Sequence, residues 1–89
     1  MVEEMTKFRE HLSDIGVAWW DESDELIDRT KFEHRGTRWS VVNGIGTYGG
    51  VYWGTPGNLG LLEAYNFIDE PIGCLTAGDA VQLIFKESE

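Results

Sequence analysis

The stretch that decides the fold is residues 38–62, RWSVVNGIGTYGGVYWGTPGNLGLL. It begins as an apolar strand, passes through a segment dense in glycine and aromatic residues, and ends in a second apolar segment. Glycine loses more conformational freedom on folding than any other residue, so this density indicates a backbone that turns sharply or approaches another group closely. We call residues 44–57 the glycine segment. It contains Gly44, Gly46, Gly49, Gly50, Gly54 and Gly57, with Tyr48, Tyr52 and Trp53 between them.

The residues before the glycine segment predict a β-hairpin. Residues 27–34 and 37–43 both have strand character, and Gly36 between them tolerates the positive φ that a tight turn requires. Side chains alternate between the two faces of a strand, so Thr30 and Phe32 share one face of the first strand. Trp39 and Val41 share one face of the second.

Helices are predicted at the two ends of the chain. In residues 2–15 apolar side chains recur every three or four positions, and Gly16 is suited to end the helix. Thr76 followed by Asp79 has the spacing of a capping box, which predicts a short second helix to about residue 86.

Three further segments lie between the helices and the hairpin. Residues 17–20 are a short strand or extended arm, residues 60–67 a strand, and residues 72–75 an extended link. In residues 60–67 we expect Leu61, Tyr65 and Phe67 to face the core, with Glu63 on the same side and paired with an arginine. Together, these helices and strands predict an α+β fold in a single domain, residues 1–89. Its small antiparallel sheet has about four strands flanked by an N-terminal and a short C-terminal helix.

Composition narrows the class of protein. With 42% hydrophobic residues in 89, the chain is rich enough in apolar side chains to form one core. No apolar run approaches the ~20 residues of a membrane helix, and the charged N-terminus lacks the apolar centre of a secretory signal. We therefore expect a cytoplasmic protein, inside a host cell, with no membrane partner. Cys74 is the single cysteine, expected as a buried thiol, and no Cys/His spacing indicates a metal or other cofactor.

The formal net charge of −9 is large for this length. It disfavours direct binding to nucleic acid, which requires a basic surface. An acidic surface keeps a small domain soluble, and it is also complementary to a basic groove on a partner protein. The cluster at residues 21–25 lacks the spacing of a calcium loop, which favours a solvated loop. The expected partner-binding residues are Asp21, Glu22, Asp24, Glu25, Glu10 and Asp14.

The glycine segment offers an alternative, ligand-binding interpretation. Residues 44–51 match G-x-G-x-x-G-x-V, but no helix follows and the other kinase motifs are missing, so neither a dinucleotide fold nor a kinase is predicted. The backbone amides could still surround an anion, or the glycines could serve only a bent, bulged hairpin. The residues of this alternative site are Arg29, Arg35, Arg38, Tyr48, Gly49, Gly50, Tyr52 and Trp53.

An enzyme is not expected. With two histidines and one cysteine, a nucleophile, a base and an orienting group cannot all be assigned. Binding functions remain, and a ligand-binding domain this small would gain buried surface as a homodimer.

Three sequence blocks carry a resemblance to known proteins. They are WSVVNGIGTYGG (residues 39–50), GLLEAYNF (60–67) and EPIGCLTAGDAVQLI (70–84). In this order they resemble a family of short proteins from phages and prophages of gut bacteria, over most of the chain. The resemblance implies no catalytic residues. Small acidic phage proteins resemble anti-CRISPR and other anti-defence inhibitors in size and charge. We therefore expect an inhibitor of a bacterial defence protein, with a sponge for a nucleotide-type signal or a phage structural or regulatory module as alternatives.

Overall fold

The computed structural model describes residues 1–51 and 57–85 of the chain. The five described strands form one antiparallel sheet in the order β1-β2-β3-β4-β5, so each strand pairs with its neighbour in sequence. The α+β prediction is confirmed, with five strands instead of about four, because residues 19–21 and 72–75 both form edge strands. The elements are α1 (Glu3–Asp14), β1 (Trp19–Asp21), β2 (Ile27–His34), β3 (Thr37–Gly44), β4 (Leu62–Tyr65), β5 (Ile72–Leu75) and α2 (Ala77–Phe85).

The β2–β3 hairpin is the centre of the sheet. Its register runs without a break from Ile27 opposite Gly44 to His34 opposite Thr37. Arg35 (φ 53°) and Gly36 (φ 78°) form the two-residue turn, and two successive positive φ values suit the twist of a tight hairpin. The hairpin prediction is therefore confirmed.

Both helices pack on one face of the sheet, which we call the helix face; the opposite face is the open face. Met5, Phe8 and Leu12 of α1 are fully buried there. The helix ends at Asp14, and Gly16 follows with φ 79°, the left-handed conformation of a glycine that terminates a helix. Burial of apolar area from both helices and three strands is the main stabilising term of this fold. The core consists of Met5, Phe8, Leu12, Phe32, Val41, Leu62, Ala64, Ala77, Ala80 and Ile84.

The start of α2 is fixed by hydrogen bonds. The Asp79 amide donates to Thr76 Oγ1 (3.1 Å), and the Thr76 amide donates to Asp79 Oδ2 (3.2 Å), which is the predicted capping box. The Ala77 amide donates to a Glu4 carboxylate oxygen of α1 (2.7 Å). This last bond joins the two helices, 73 residues apart in sequence.

Two predictions about side-chain direction are wrong. On β4 the buried residues are Leu62 and Ala64, so Tyr65 lies on the open face and Phe67, beyond the strand, contacts its ring. Alternation gives two possible faces, and a shift of one residue exchanges them. Cys74 is exposed instead of buried, because edge strand β5 is covered only in part. Within the described ranges, no helix is long and apolar enough to span a membrane.

Candidate functional site

Helix α1 lies beside edge strand β1, and the predicted acidic residues are spread along this side of the molecule. Asp14 lies near Trp19, whereas Asp24 and Glu25 lie near Met1 and Val2, at the other end of α1. Arg9 of α1 forms an ion pair with Asp21 (3.3 Å), and the Trp19 indole N–H donates to Ser13 Oγ (3.0 Å). Glu10 and Asp14 adjoin these contacts on α1, next to Trp19. We call the resulting surface the acidic edge. It consists of Glu10, Asp14, Asp21, Glu22, Asp24 and Glu25.

The loop from β1 to β2 is shaped by its own carboxylates. Asp21 Oδ1 accepts a hydrogen bond from the Ser23 amide (2.8 Å). Hydrogen bonds from the side chain and the backbone of Ser23 are the main reason that the pKa of Asp21 is lowered. Asp24 Oδ1 accepts the amides of Leu26 (2.8 Å) and Ile27 (2.9 Å), which lowers the pKa of Asp24. Both carboxylates are therefore ionised and oriented at neutral pH.

Glu22 connects the acidic edge to the open face. Lys31 lies 2.9 Å from its Oε1, and the Trp20 indole N–H donates to its Oε2 (2.7 Å). The hydrogen bond with Lys31, followed by that with Trp20, lowers the pKa of Glu22. The carboxylate is thus held at both oxygens, one of them by a cation of the open face.

The open face carries an aromatic and basic surface in this acidic chain. Strand register places Trp20, Lys31, Ser40 and Tyr65 in one row across four strands. Phe67 follows β4, its ring 4.8 Å from that of Tyr65. A groove of about 460 Å³ lies beside Trp20 and Lys31 of this row, and we call it the aromatic groove. The residues of the groove that the argument below uses are Trp20, Glu22, Lys31, Arg38 and Phe67.

The arginines and the glycine segment of the alternative site lie apart. Arg29 is engaged near the acidic loop, where its Nη1 donates to the Glu22 carbonyl (3.3 Å). Arg35 is in the hairpin turn, and Arg38 follows it at the start of β3, whereas the glycine segment begins at Gly44. Arg38 and Gly44 are six positions apart on the extended strand β3, a distance of roughly 20 Å. Arg35 and Arg38 therefore do not share a site with Gly49 and Gly50.

The described residues 44–51 of the glycine segment use most of their backbone amides within the chain. The amides of Gly46, Gly50 and Val51 donate to carbonyls within residues 44–51, and that of Ile45 donates to Leu26. Tyr48 and Gly49 pack instead against the β4–β5 side: the Cys74 amide donates to the Tyr48 carbonyl and the Leu61 amide to that of Gly49, both at 2.9 Å. The geometry thus supports the structural use of these glycines. Tyr52 and Trp53 lie outside the described residues.

Glu63 has a different partner from the one expected. Its carboxylate accepts the Tyr48 amide, and no arginine in the described ranges forms an ion pair with it. Partial burial on the open face raises its pKa, more than the amide lowers it. A buried carboxylate without a cation opposes folding in its ionised form.

A Glu63→Gln variant is expected to be slightly more stable than the parent at pH 7. The raised pKa means that ionised Glu63 costs stability above its unfolded pKa, and this cost disappears as the pH falls below that value. Glutamine keeps an oxygen for the Tyr48 amide. Thermal unfolding of both proteins from pH 7 to pH 3.5 should show a gain in Tm that shrinks with acidification. A gain that is equal at every pH would contradict the assignment.

Arg9 is an important residue that the sequence pattern did not identify. It is only 8% exposed, and its Nε donates to Thr30 Oγ1 (2.6 Å) while Nη2 donates to the Arg29 carbonyl (3.2 Å). Its guanidinium also lies 4.8 Å from the centre of the Trp19 ring. The available signal was its position: residue 9 follows Met5 by one helical turn, beside the apolar stripe.

Comparison of the chain with protein-family models, curated proteins and solved structures finds no match in any of the three. Among residues 1–51 and 57–85, no three His, Cys, Asp or Glu side chains are grouped to hold a metal ion. The candidate sites are thus two adjoining surfaces, the acidic edge and the aromatic groove.

Proposed function

We propose that this chain is a non-enzymatic inhibitor that binds a bacterial anti-phage defence protein, with its acidic edge against a basic groove of that protein. The observation that carries the proposal is the fixed orientation of the carboxylates. Asp21 and Asp24 are held by backbone amides of their own loop, and Glu22 by Trp20 and Lys31. A surface that is already ordered loses less conformational entropy on binding.

Charge supports the same proposal. The chain carries −9, and Glu10, Asp14 and Glu25 form no ion pair within the described residues, so their charge is available to a partner. Complementary charge accelerates association and selects a basic partner over others. The resemblance to short phage and prophage proteins supplies the class of target, a component of bacterial defence. On this proposal the protein acts in the cytoplasm, because such targets act inside the host cell.

The proposal is tested with a variant in which four carboxylates of the acidic edge are neutralised. The variant Asp21→Asn, Glu22→Gln, Asp24→Asn, Glu25→Gln removes four charges and keeps one acceptor oxygen at each position, which is sufficient for the hydrogen bonds from the loop amides to Asp21 and Asp24. We expect affinity for the target to fall about tenfold or more at 0.15 M salt, mainly through slower association. The target is first identified by capture from bacterial lysate at low and moderate salt, and affinity and inhibition are then measured with the purified protein.

A charge-matched control distinguishes the contribution of the acidic edge to inhibition from that of the net charge. Glu3→Gln, Glu33→Gln, Asp69→Asn, Glu70→Gln also changes the formal charge from −9 to −5, at exposed positions away from the acidic loop. Inhibition that survives in this control and is lost in the edge variant supports the proposal. An equal loss of inhibition in both variants would mean that net charge alone explains the effect. Full inhibition by the edge variant would mean that the acidic edge takes no part in binding the target.

A further inference from the structure

The aromatic groove is not explained by an inhibitor that uses the acidic edge. Trp20 and Phe67 leave 48% and 49% of their surface exposed, whereas Phe8 and Phe32 of the core are buried completely or nearly so. Exposed aromatic side chains around a concave surface are typical of binding sites. The volume of about 460 Å³ lies within the range of small-molecule pockets.

The segment after β4 is built to hold Phe67 in place. Phe67 has φ 66°, a conformation that bulky residues rarely adopt and that costs free energy. Asn66 Oδ1 accepts the amides of Ile68 (3.0 Å) and Asp69 (2.8 Å), and its amide nitrogen donates to Asp69 (3.2 Å). These bonds fix the turn, and the Phe67 ring lies beside the Tyr65 ring and 5.9 Å from Lys31 Nζ. A strained residue maintained by its surroundings indicates a function.

The charges in the groove determine what it can accept. Lys31 already lies between Glu22 and the Phe67 ring, so the place that a cationic ligand would take is filled by the chain's own ammonium group. Arg38 also lines the groove, and its side chain forms no ion pair or hydrogen bond within the described residues. Glu33 is opposite Arg38 in the register, without an ion pair. The groove therefore offers aromatic faces and a free guanidinium, which suit a flat ligand that carries an anion.

The size and the net charge favour a single small ligand over a polymer. A nucleic-acid strand would bring one further phosphate per nucleotide against a chain of charge −9. A mononucleotide brings its one phosphate close to Arg38 and Lys31, while the more distant carboxylates are screened beyond about 8 Å at physiological salt.

We propose that the aromatic groove binds one nucleotide, with its base against Trp20 and Phe67 and its phosphate on Arg38. Each part uses a group present in the groove: the aromatic faces for stacking, and the fork of N–H donors of Arg38 for the phosphate. This site is distinct from the glycine segment. It does not depend on the inhibitor function, so one can fail while the other holds.

The test uses the full chain and the four mononucleotides AMP, GMP, CMP and UMP, with calorimetry and ¹⁵N–¹H spectra. We expect at least one to bind with a Kd below about 1 mM and to shift the amide signals of Lys31, Arg38 and Phe67, which line the groove. Trp20→Ala and Arg38→Ala should each weaken binding about tenfold or more. Glu33→Gln should strengthen it, because it removes the negative charge opposite Arg38.

Control variants and control ligands show which residues of the groove, and which part of the nucleotide, contribute to binding. Ile68 is 79% exposed and adjacent to Phe67, so Ile68→Ala should bind normally where Phe67→Ala does not. Amide spectra of each variant establish that it is folded. Absence of binding by all four mononucleotides, binding of inorganic phosphate alone with equal affinity, or shifts confined to the helix face would each overturn the proposal. If a short single-stranded oligonucleotide bound each site more tightly than any mononucleotide does, the proposal would be overturned and the groove would be a nucleic-acid site.

Discussion

The Gly50→Ala variant is expected to lose about 3 kcal/mol of unfolding free energy, a large part of the stability of a domain of this size. Gly50 is buried in the glycine segment, and a Cβ atom there would overlap the Gly44 carbonyl oxygen, Thr47 Oγ1 and the Gly44 amide nitrogen. Two of these are backbone atoms, which cannot turn away as the end of a long side chain can. The methyl group therefore forces a shift of the main chain.

That shift is costly because the same atoms hold the loop together. The Val51 amide donates to the Gly44 carbonyl (2.9 Å), Thr47 Oγ1 donates to that carbonyl (2.9 Å), and the Gly44 amide donates to Thr47 Oγ1 (3.0 Å). Separating Gly50 from Gly44 stretches all three, and Thr47 is buried, so water cannot easily replace them. Gly44 also ends β3, which joins the loop directly to the central hairpin.

Gly46→Ala is the matched control within the same segment. Gly46 has φ 82°, and a Cβ atom there meets nothing within 4 Å. Its expected cost is about 1 kcal/mol, for the left-handed conformation alone. Urea unfolding followed by circular dichroism measures both variants. Equal losses would mean that conformation, and not close packing of the two glycines, explains the glycine content of this segment.

Local signals in the sequence were sufficient to predict the hairpin and the helix ends. The Arg35–Gly36 turn, Gly16 and the Thr76–Asp79 capping box each depend on residues within four positions of one another. Such features need no knowledge of the rest of the chain. The same applies to the apolar stripe of α1, where Met5, Phe8 and Leu12 are the buried residues.

The faces of β4 and the aromatic groove depend on long-range pairing. Alternation in residues 60–67 is compatible with either face, and only pairing of Ala64 with Val41 places Ala64 and Leu62 under the helices. Trp20, Lys31 and Tyr65 lie in one row because three separate strand registers align them. The sequence indicated basic residues in the hairpin, but it could not indicate which aromatic residues would accompany them.

Arg9→Met is expected to lower the unfolding free energy by about 2–3 kcal/mol. Methionine fills much of the space of the arginine stem, so the variant tests hydrogen bonds more than a cavity. Thr30 is fully buried, and without Arg9 its hydroxyl loses the bond from Nε at 2.6 Å, while the Arg29 carbonyl loses its bond from Nη2. Thr30 Oγ1 keeps Met5 Sδ (3.2 Å) and the Arg29 carbonyl keeps the Glu22 amide (3.0 Å), so the expected loss is that of hydrogen bonds from a charged, buried donor, which are stronger than those between neutral groups.

Lys7→Met is the control on the same helix. Lys7 is exposed, and its ion pairs with Glu3 (3.8 Å) and Glu4 (3.7 Å) are long, so its loss should change stability by less than ~0.5 kcal/mol. Equal effects of Lys7→Met and Arg9→Met in urea unfolding would contradict a special role for Arg9.

The Arg9 variant also connects stability with the proposed inhibitor surface. Arg9 contacts Asp21 and Ser23, and Ser23 in turn binds Asp21 and the Arg29 amide, so one side chain of α1 supports the loop that carries the acidic edge. Folded Arg9→Met should therefore bind the target more weakly although it is more negative than the parent. Stronger binding would mean that net charge outweighs the ordered loop.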